Sequence, residues 1–208
     1  MFENIRPGLF RLEIPLPGNP LKAVNSYVFK TPERNLIVDT GMNRQECLDA
    51  MMTGLRELDI DLSKTDLFIT HMHADHSGLI SHLATETSRV FCSQTDADII
   101  NSKDDWRDML VFANRSGFPE DEEAIKQHPG FKYGVRKHID FTIMEDGDLI
   151  SIGEYTFQCV WTPGHTPGHL CLYDQDKKIL ISGDHILGKI TPNISLFADD
   201  SNPLNDYL

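Results

Sequence analysis

Between Thr70 and Gly78 the chain reads Thr-His-Met-His-Ala-Asp-His-Ser-Gly, which places four candidate metal ligands, His71, His73, Asp75 and His76, within six residues. An apolar run, Leu67-Phe68-Ile69, comes just before them and reads as a buried strand. Leu79, Ile80 and Leu83 follow at the spacing of one helix face. The ligands therefore occupy a turn at the C-terminal end of a strand, the usual position for a site in an α/β sheet. Side chains alternate along extended backbone, so His71 and His73 point the same way and can clamp one ion. Asp75 and His76 fall where the chain turns into a helix and can face a second ion nearby. Imidazole and carboxylate donors suit zinc, iron or manganese. A polar turn with no metal is a poor alternative, because such a group of polar side chains beside a core has a desolvation cost that nothing offsets.

Two later segments carry further donors: Thr162-Pro-Gly-His165-Thr-Pro-Gly-His169 and Ser182-Gly183-Asp184. Taken with His71-x-His73-x-Asp75-His76, and in this order, they resemble the ligand motifs of the metallo-β-lactamase-fold hydrolases, closest to the glyoxalase II-like branch. The resemblance runs from about Asn25 to Asp184. It implies an α/β fold, a four-layer αββα sandwich with two mixed sheets between helices. It also implies two divalent metal ions, zinc foremost, with iron or manganese as alternatives. By the same resemblance His71, His73 and His169 hold the first ion. Asp75, His76 and Asp184 serve the second, and Asp184 bridges both. The ligand role falls on the histidine of the second Pro-Gly-His, His169; the part played by His165 stays open, a place behind the ligands being one reading. Asp39, ending the run Leu36-Ile-Val-Asp39, would support the site by accepting the outer N–H of a ligand histidine.

The activity implied is hydrolysis of a thioester, lactone or similar ester by a metal-bound hydroxide, with Asp75 orienting water or moving a proton. Two other readings use the same residues: an iron-dependent oxidoreductase on the same fold, and a non-catalytic metal-binding module. Gly-x-Ser-x-Gly is absent, and no nucleophile triad stands out. The start, Met1-Phe-Glu-Asn-Ile-Arg-Pro-Gly, lacks a basic region followed by an apolar run, so a cytoplasmic location is expected and an exported β-lactamase is not.

Composition narrows the partners. The 208 residues suit one domain with a sizeable core. A net charge of −13 disfavours nucleic acid and anionic membrane surfaces, leaving a small-molecule substrate as the expected partner. No stretch is long and apolar enough to span a bilayer. Oligomeric state is left open. Cys47, Cys92, Cys159 and Cys171 form no CxxC pair and are expected to be buried, reduced thiols.

Along the chain, Leu9–Ile14, Asn25–Lys30 and Leu36–Asp39 suggest an antiparallel meander. Asn43 with Glu46 resembles a capping box opening a helix whose face is Cys47, Met51, Leu55 and Leu58. The acidic segment from about 96 to 137 reads as a helical insertion, either solvated or a lid, with Trp106, Met109, Phe112, Phe118 and Phe131 available to line a pocket mouth. Strand-like runs return at Leu149–Ile152, Tyr155–Trp161, Leu170–Tyr173 and Lys178–Ile181. The resembling family uses one more histidine late in its fold, whereas after Asp184 this chain offers only His185. Asn202-Pro203 looks like a helix start. The expectation is a single domain over residues 1–208, C-terminally incomplete, with a second metal site one ligand short and therefore weak.

Overall fold

Four strands open the chain as hairpins: β1 (Phe2–Arg6), β2 (Leu9–Pro15), β3 (Ala23–Phe29) and β4 (Asn35–Val38), each antiparallel to the one before. The computed structural model describes residues 2–102, 111, 114, 115, 117, 122–194 and 201–208. From β4 onward the connections carry helices and the pairing turns parallel: β5 (Thr65–Phe68), β6 (Val90–Cys92) and β7 (Phe141–Ile143) add in sequence. This follows from the chain itself, since parallel neighbours need long crossovers and two-sided burial. Asn-Leu-Ile-Val in β4 and Thr-Asp-Leu-Phe in β5 are buried at every position.

The crossovers are α1 (Gln45–Glu57), the short pair α2 (Ala74–Ser77) and α3 (Ile80–Leu83), and α4 (Gln94–Asn101). Alternation along the strands then makes two cores. Ile37, Leu67 and Ile69 pack with Leu12, Ile14, Met51, Leu55 and Leu83 on the helix side. Leu36, Val38 and Phe68 turn the other way, toward a second sheet. That sheet has the order β11-β10-β9-β8, built from β8 (Leu149–Ile152), β9 (Tyr155–Trp161), β10 (Leu170–Asp174) and β11 (Ile179–Ile181). Phe157, Cys159, Leu170 and Leu172 meet Phe29 and Phe68 between the sheets. Each such buried side chain contributes roughly 1.5–3 kcal/mol.

The α/β class is as expected, and the first sheet is mixed. The second is wholly antiparallel, a correction to the expected pair of mixed sheets: its strands are joined by hairpins and one compact loop, with no helical crossover to bring a parallel partner alongside. Its outer face leaves Leu149 at 65% and Leu180 at 44% exposure. Among the described residues no helix is long and apolar enough to cross a membrane.

Other expectations fare unevenly. The capping box does not form: Arg44 is the cap of α1 and makes no side-chain cap bond. Asn43 is used elsewhere, its Oδ1 lying 3.0 Å from His82 Nε2 and its N–H donating to Tyr133 O at 2.8 Å. Cys47, Met51, Leu55 and Leu58 do form the buried face, and all four cysteines are buried and free. Of the 96–137 segment, Trp106, Met109, Phe112 and Phe118 lie outside the described residues. Its end forms α5 (Glu122–Gln127) and α6 (Pro129–Tyr133), with Phe131 half-buried. Asn101 clasps the neck, donating to Ile139 O and accepting from Ile139 N–H, both at 2.9 Å. Near the C-terminus Asn202 caps α7 (Pro203–Tyr207), as its sequence suggests.

Candidate metal centre

Register brings the first pieces together. Val38 pairs with Phe68, so β4 and β5 end level and release Asp39 and Thr70-His71 side by side. Asp39 has φ 61°, a left-handed conformation that Asp tolerates better than most residues. Its carboxylate accepts the Thr70 N–H at 2.9 Å, the Thr70 hydroxyl at 2.8 Å and His76 Nδ1–H at 2.8 Å. The second sheet joins at the same level, where Leu170 N–H donates to Thr70 O at 2.9 Å.

These bonds fix which ring nitrogens are free. Thr70 gives its hydroxyl proton to Asp39, so it accepts from His71 Nδ1 at 3.0 Å and leaves His71 Nε2 with a lone pair. His165 Nδ1 faces the Asn193 carbonyl at 2.7 Å; a carbonyl only accepts, so His165 Nε2 is the bare nitrogen. His73 Nδ1 lies between them, 3.1 Å from His71 Nε2 and 3.0 Å from His165 Nε2. Three ring nitrogens thus face one point. Tetrahedral ligands on zinc at about 2.0–2.1 Å have comparable separations.

A second group adjoins it. His76 Nε2 is buried without a hydrogen-bond partner and lies 3.3 Å from Asp184 Oδ1 and 3.9 Å from Asp75 Oδ2. Asp184 Oδ2 reaches within 3.6 Å of His165 Nε2. One carboxylate therefore touches both groups, as a bridge must.

His169 stands apart from this expected arrangement. Its Nε2 accepts the Asp184 N–H at 3.2 Å, and its Nδ1 then donates to Thr162 Oγ1 at 2.8 Å. Both nitrogens are engaged by protein, so neither is left for an ion. His169 instead stacks on His71, centroids 5.2 Å apart, and braces the turn carrying Asp184. Gly183 makes that closeness possible: at φ 47°, a Cβ there would sit 2.5 Å from His169 Nε2. The third place in the first cluster goes to His165. His185 joins neither cluster; its ring lies 4.8 Å from Tyr207, whose hydroxyl donates to His185 O at 2.9 Å.

The electrostatics match a cation site. Burial, then the neighbouring rings of His76, His73, His169 and His165, push His71 well below the ordinary histidine value. Burial and the His165 ring bring His73 down to about 4. Burial works to lower His76 also, but Asp39, Asp184 and Asp75 outweigh it and raise it well above that value. Burial works to raise Asp184, yet His76, His165 and His73 hold it far below the usual carboxylate range. The neutral rings of His71 and His73 and the retained charge of Asp184 are the protonation states that metal ligation requires, while His76 gives up its proton when an ion binds. The donor set and the orphaned His76 Nε2 both fit a divalent cation.

Of the residues marked in the sequence, the structure gathers His71, His73, Asp75, His76 and Asp184, adds His165, and leaves out His169. Thr70 and the Asn193 carbonyl gave no sequence signal of their roles, since hydroxyls and backbone oxygens carry no ligand signature.

The family follows from comparison with known proteins. Residues 19–208 match the metallo-beta-lactamase superfamily, and the chain belongs to it. Among curated relatives, the acyl-coenzyme A thioesterase MBLAC2 of Homo sapiens is 28% identical over 170 residues, covering 77% of this chain and 57% of the relative. The atrochrysone carboxyl ACP thioesterase dmxR1 of Cryptosporiopsis sp. (strain 8999) is 25% identical over 190 residues, covering 89% of this chain and 46% of the relative. The chain thus spans about half the length of these curated relatives. Among solved structures, a metallo-beta-lactamase family protein from Thermus thermophilus superposes with a TM-score of 0.78 at 29% identity, over 98% of this chain and 68% of that one. The FEZ-1 metallo-beta-lactamase of Legionella gormanii superposes at 0.62 with 21% identity, over 96% and 69%, and shows the fold alone.

Proposed function

We propose that this chain is a metal-dependent hydrolase of thioesters, with a divalent ion, zinc foremost, held by His71, His73 and His165. The observation that carries the reading is the convergence of His71 Nε2, His73 Nδ1 and His165 Nε2 beside Asp184. Three imidazoles with an open side suit a catalytic zinc better than a closed structural one. Asp75, His76 and Asp184 would serve a second ion, with Asp184 Oδ1 3.3 Å and Asp75 Oδ2 3.9 Å from His76 Nε2. When bound, the metal supplies Lewis acidity, which eases deprotonation of water and polarises a carbonyl oxygen.

The protein's own residues do the rest. Thr70 and Asn193 lock the outer nitrogens of His71 and His165, which fixes the rings and raises their basicity. Asp39 does the same for His76. Asp75 lies at the open edge, its side chain 23% exposed, where it takes the proton of the attacking water and returns it to the departing thiolate. Water and thioester become carboxylic acid and thiol.

Thioesters lead the substrate list because the named relatives are an acyl-coenzyme A and an acyl carrier protein thioesterase. Of this region α6 would be the part to select the acyl or carrier portion, since Tyr133 O accepts the Asn43 N–H at 2.8 Å beside the turn that leads into α1. The test is thiol release from a panel of acyl-coenzyme A esters, with lactones and a β-lactam run beside them. Turnover of thioesters that a chelator abolishes and zinc restores is the expected result. A fully metallated protein that cleaves lactones but no thioester refutes the substrate class. No turnover at all refutes the enzyme reading.

A further inference from the structure

The ligands of the first ion come from two sheets. His71 and His73 follow β5 in the first, and His165 sits in the β9–β10 loop of the second. One backbone bond, Leu170 N–H to Thr70 O at 2.9 Å, joins their turns directly, and it lies beyond His165 in the second. One carboxylate outside the ligand set bonds both.

Asp96 lies in the first turn of α4, which Ser93 caps by accepting the Asp96 N–H at 3.3 Å. Its side chain is fully buried. Oδ2 accepts the Met72 N–H at 2.9 Å and the Thr166 hydroxyl at 2.7 Å, and Oδ1 accepts the Gly168 N–H at 2.8 Å. Met72 separates His71 from His73, and Thr166 directly follows His165. Each bond therefore ends within one or three residues of a ligand. No lysine or arginine pairs with this carboxylate among the described residues. Burying an unpaired carboxylate is costly unless hydrogen bonds replace its hydration, and here all the donors come from the two ligand loops.

The fit is tight on the second-sheet side. A Cβ on Gly168 would stand 2.6 Å from Asp96 Oδ1 and 2.3 Å from Ser93 Oγ. Only glycine lets the loop come close enough for its N–H to reach the carboxylate.

We propose that Asp96 is a positioning residue of the metal centre, a strut that sets the distance of His165 from the His71–His73 pair. The proposal rests on the assignment of His165 as a ligand. Its chemistry is simple. A charged acceptor shared by two loops holds both more firmly than water would, and a third imidazole offered at the right distance needs no reorganisation when the ion arrives. Removing the acceptor leaves the loops folded but free to separate.

The experiment uses zinc and cobalt alone as probes. In Asp96→Asn the amide keeps the shape of the side chain but turns a donor toward one of the three donors it must satisfy. The expected zinc affinity of the first site falls by about 10- to 100-fold, the usual cost of losing a support behind a ligand. The visible Co²⁺ spectrum should shift toward a higher coordination number as His165 gives way to solvent. Thr166→Val removes only one bond and should give a smaller loss with the same spectral trend. It decides the matter if Asp96→Asn does not fold. A purely structural Asp96 would lower thermal stability while leaving both the zinc affinity and the Co²⁺ spectrum of the folded fraction unchanged, and that result overturns the proposal. If the parent protein binds no zinc, the metal assignment itself fails. If the parent binds and both variants bind equally well, only the strut does.

Discussion

Asp39→Asn isolates the support beneath the site with little backbone disturbance. Asp39 sits at φ 61°, and Asn is the other side chain that readily adopts this conformation, so strain is unchanged. What changes is the hydrogen bonding. The carboxylate receives the Thr70 N–H, the Thr70 hydroxyl and His76 Nδ1–H at 2.8–2.9 Å. An amide has one acceptor oxygen. If that oxygen stays with Thr70, the amide nitrogen confronts His76 Nδ1–H, donor against donor. His76 must then lose the bond or hold its neutral-ring proton on Nε2, giving up the lone pair it would offer an ion. Loss of one buried bond to a charged acceptor costs about 1.5–3 kcal/mol. At about 1.4 kcal/mol per factor of ten, that is roughly a 10- to 100-fold loss of metal affinity. The assay is zinc competition against a chromophoric chelator near neutral pH, with urea unfolding of the metal-free variant alongside. An affinity unchanged within about threefold would refute the reasoning and reduce Asp39 to a turn residue.

Two further outcomes follow from the same geometry. Phe68 is fully buried between the sheets, so Phe68→Ala should cost about 3–5 kcal/mol in urea unfolding, and a loss below about 1 kcal/mol would contradict the two-sheet core. The metal-free protein should be most stable near pH 6.5, the ordinary histidine value: below it the unfolded chain takes up protons that the buried His71 and His73 rings resist, and above it His76 keeps a proton that the unfolded chain has lost, so stability falls both ways, and a urea midpoint rising steadily from pH 5 to 8 would speak against this.

The sequence discloses chemistry better than it discloses choice. His71, His73, Asp75 and His76 were legible because a period-two strand and a turn into a helix dictate which way their side chains face. The meander and the β8–β11 hairpins were legible from alternation and turn residues. The choice between His165 and His169 was not. Both follow Pro-Gly in a repeated motif four residues apart, and only the tertiary structure shows that Asp184 N–H and Thr162 use up the nitrogens of His169. β1 was missed because every residue of Phe2–Arg6 is exposed and offers no buried face to alternate. β7 was missed because Phe141–Ile143 is a three-residue edge strand with no fully buried position. The supports escaped for a different reason: the Thr70 hydroxyl acts by standing between Asp39 and the His71 ring, and Asp96 acts through bonds to Met72, Thr166 and Gly168 that come together only when the two sheets dock.

The proposed metal centre holds one ion between His71, His73 and His165. Zinc anomalous diffraction from a crystal of the metallated protein tests it most directly. The expected peak lies about 2.0–2.1 Å from His71 Nε2, His73 Nδ1 and His165 Nε2, with His169 still bonded to the Asp184 N–H. A peak coordinated by His169, with His165 turned away, would contradict it.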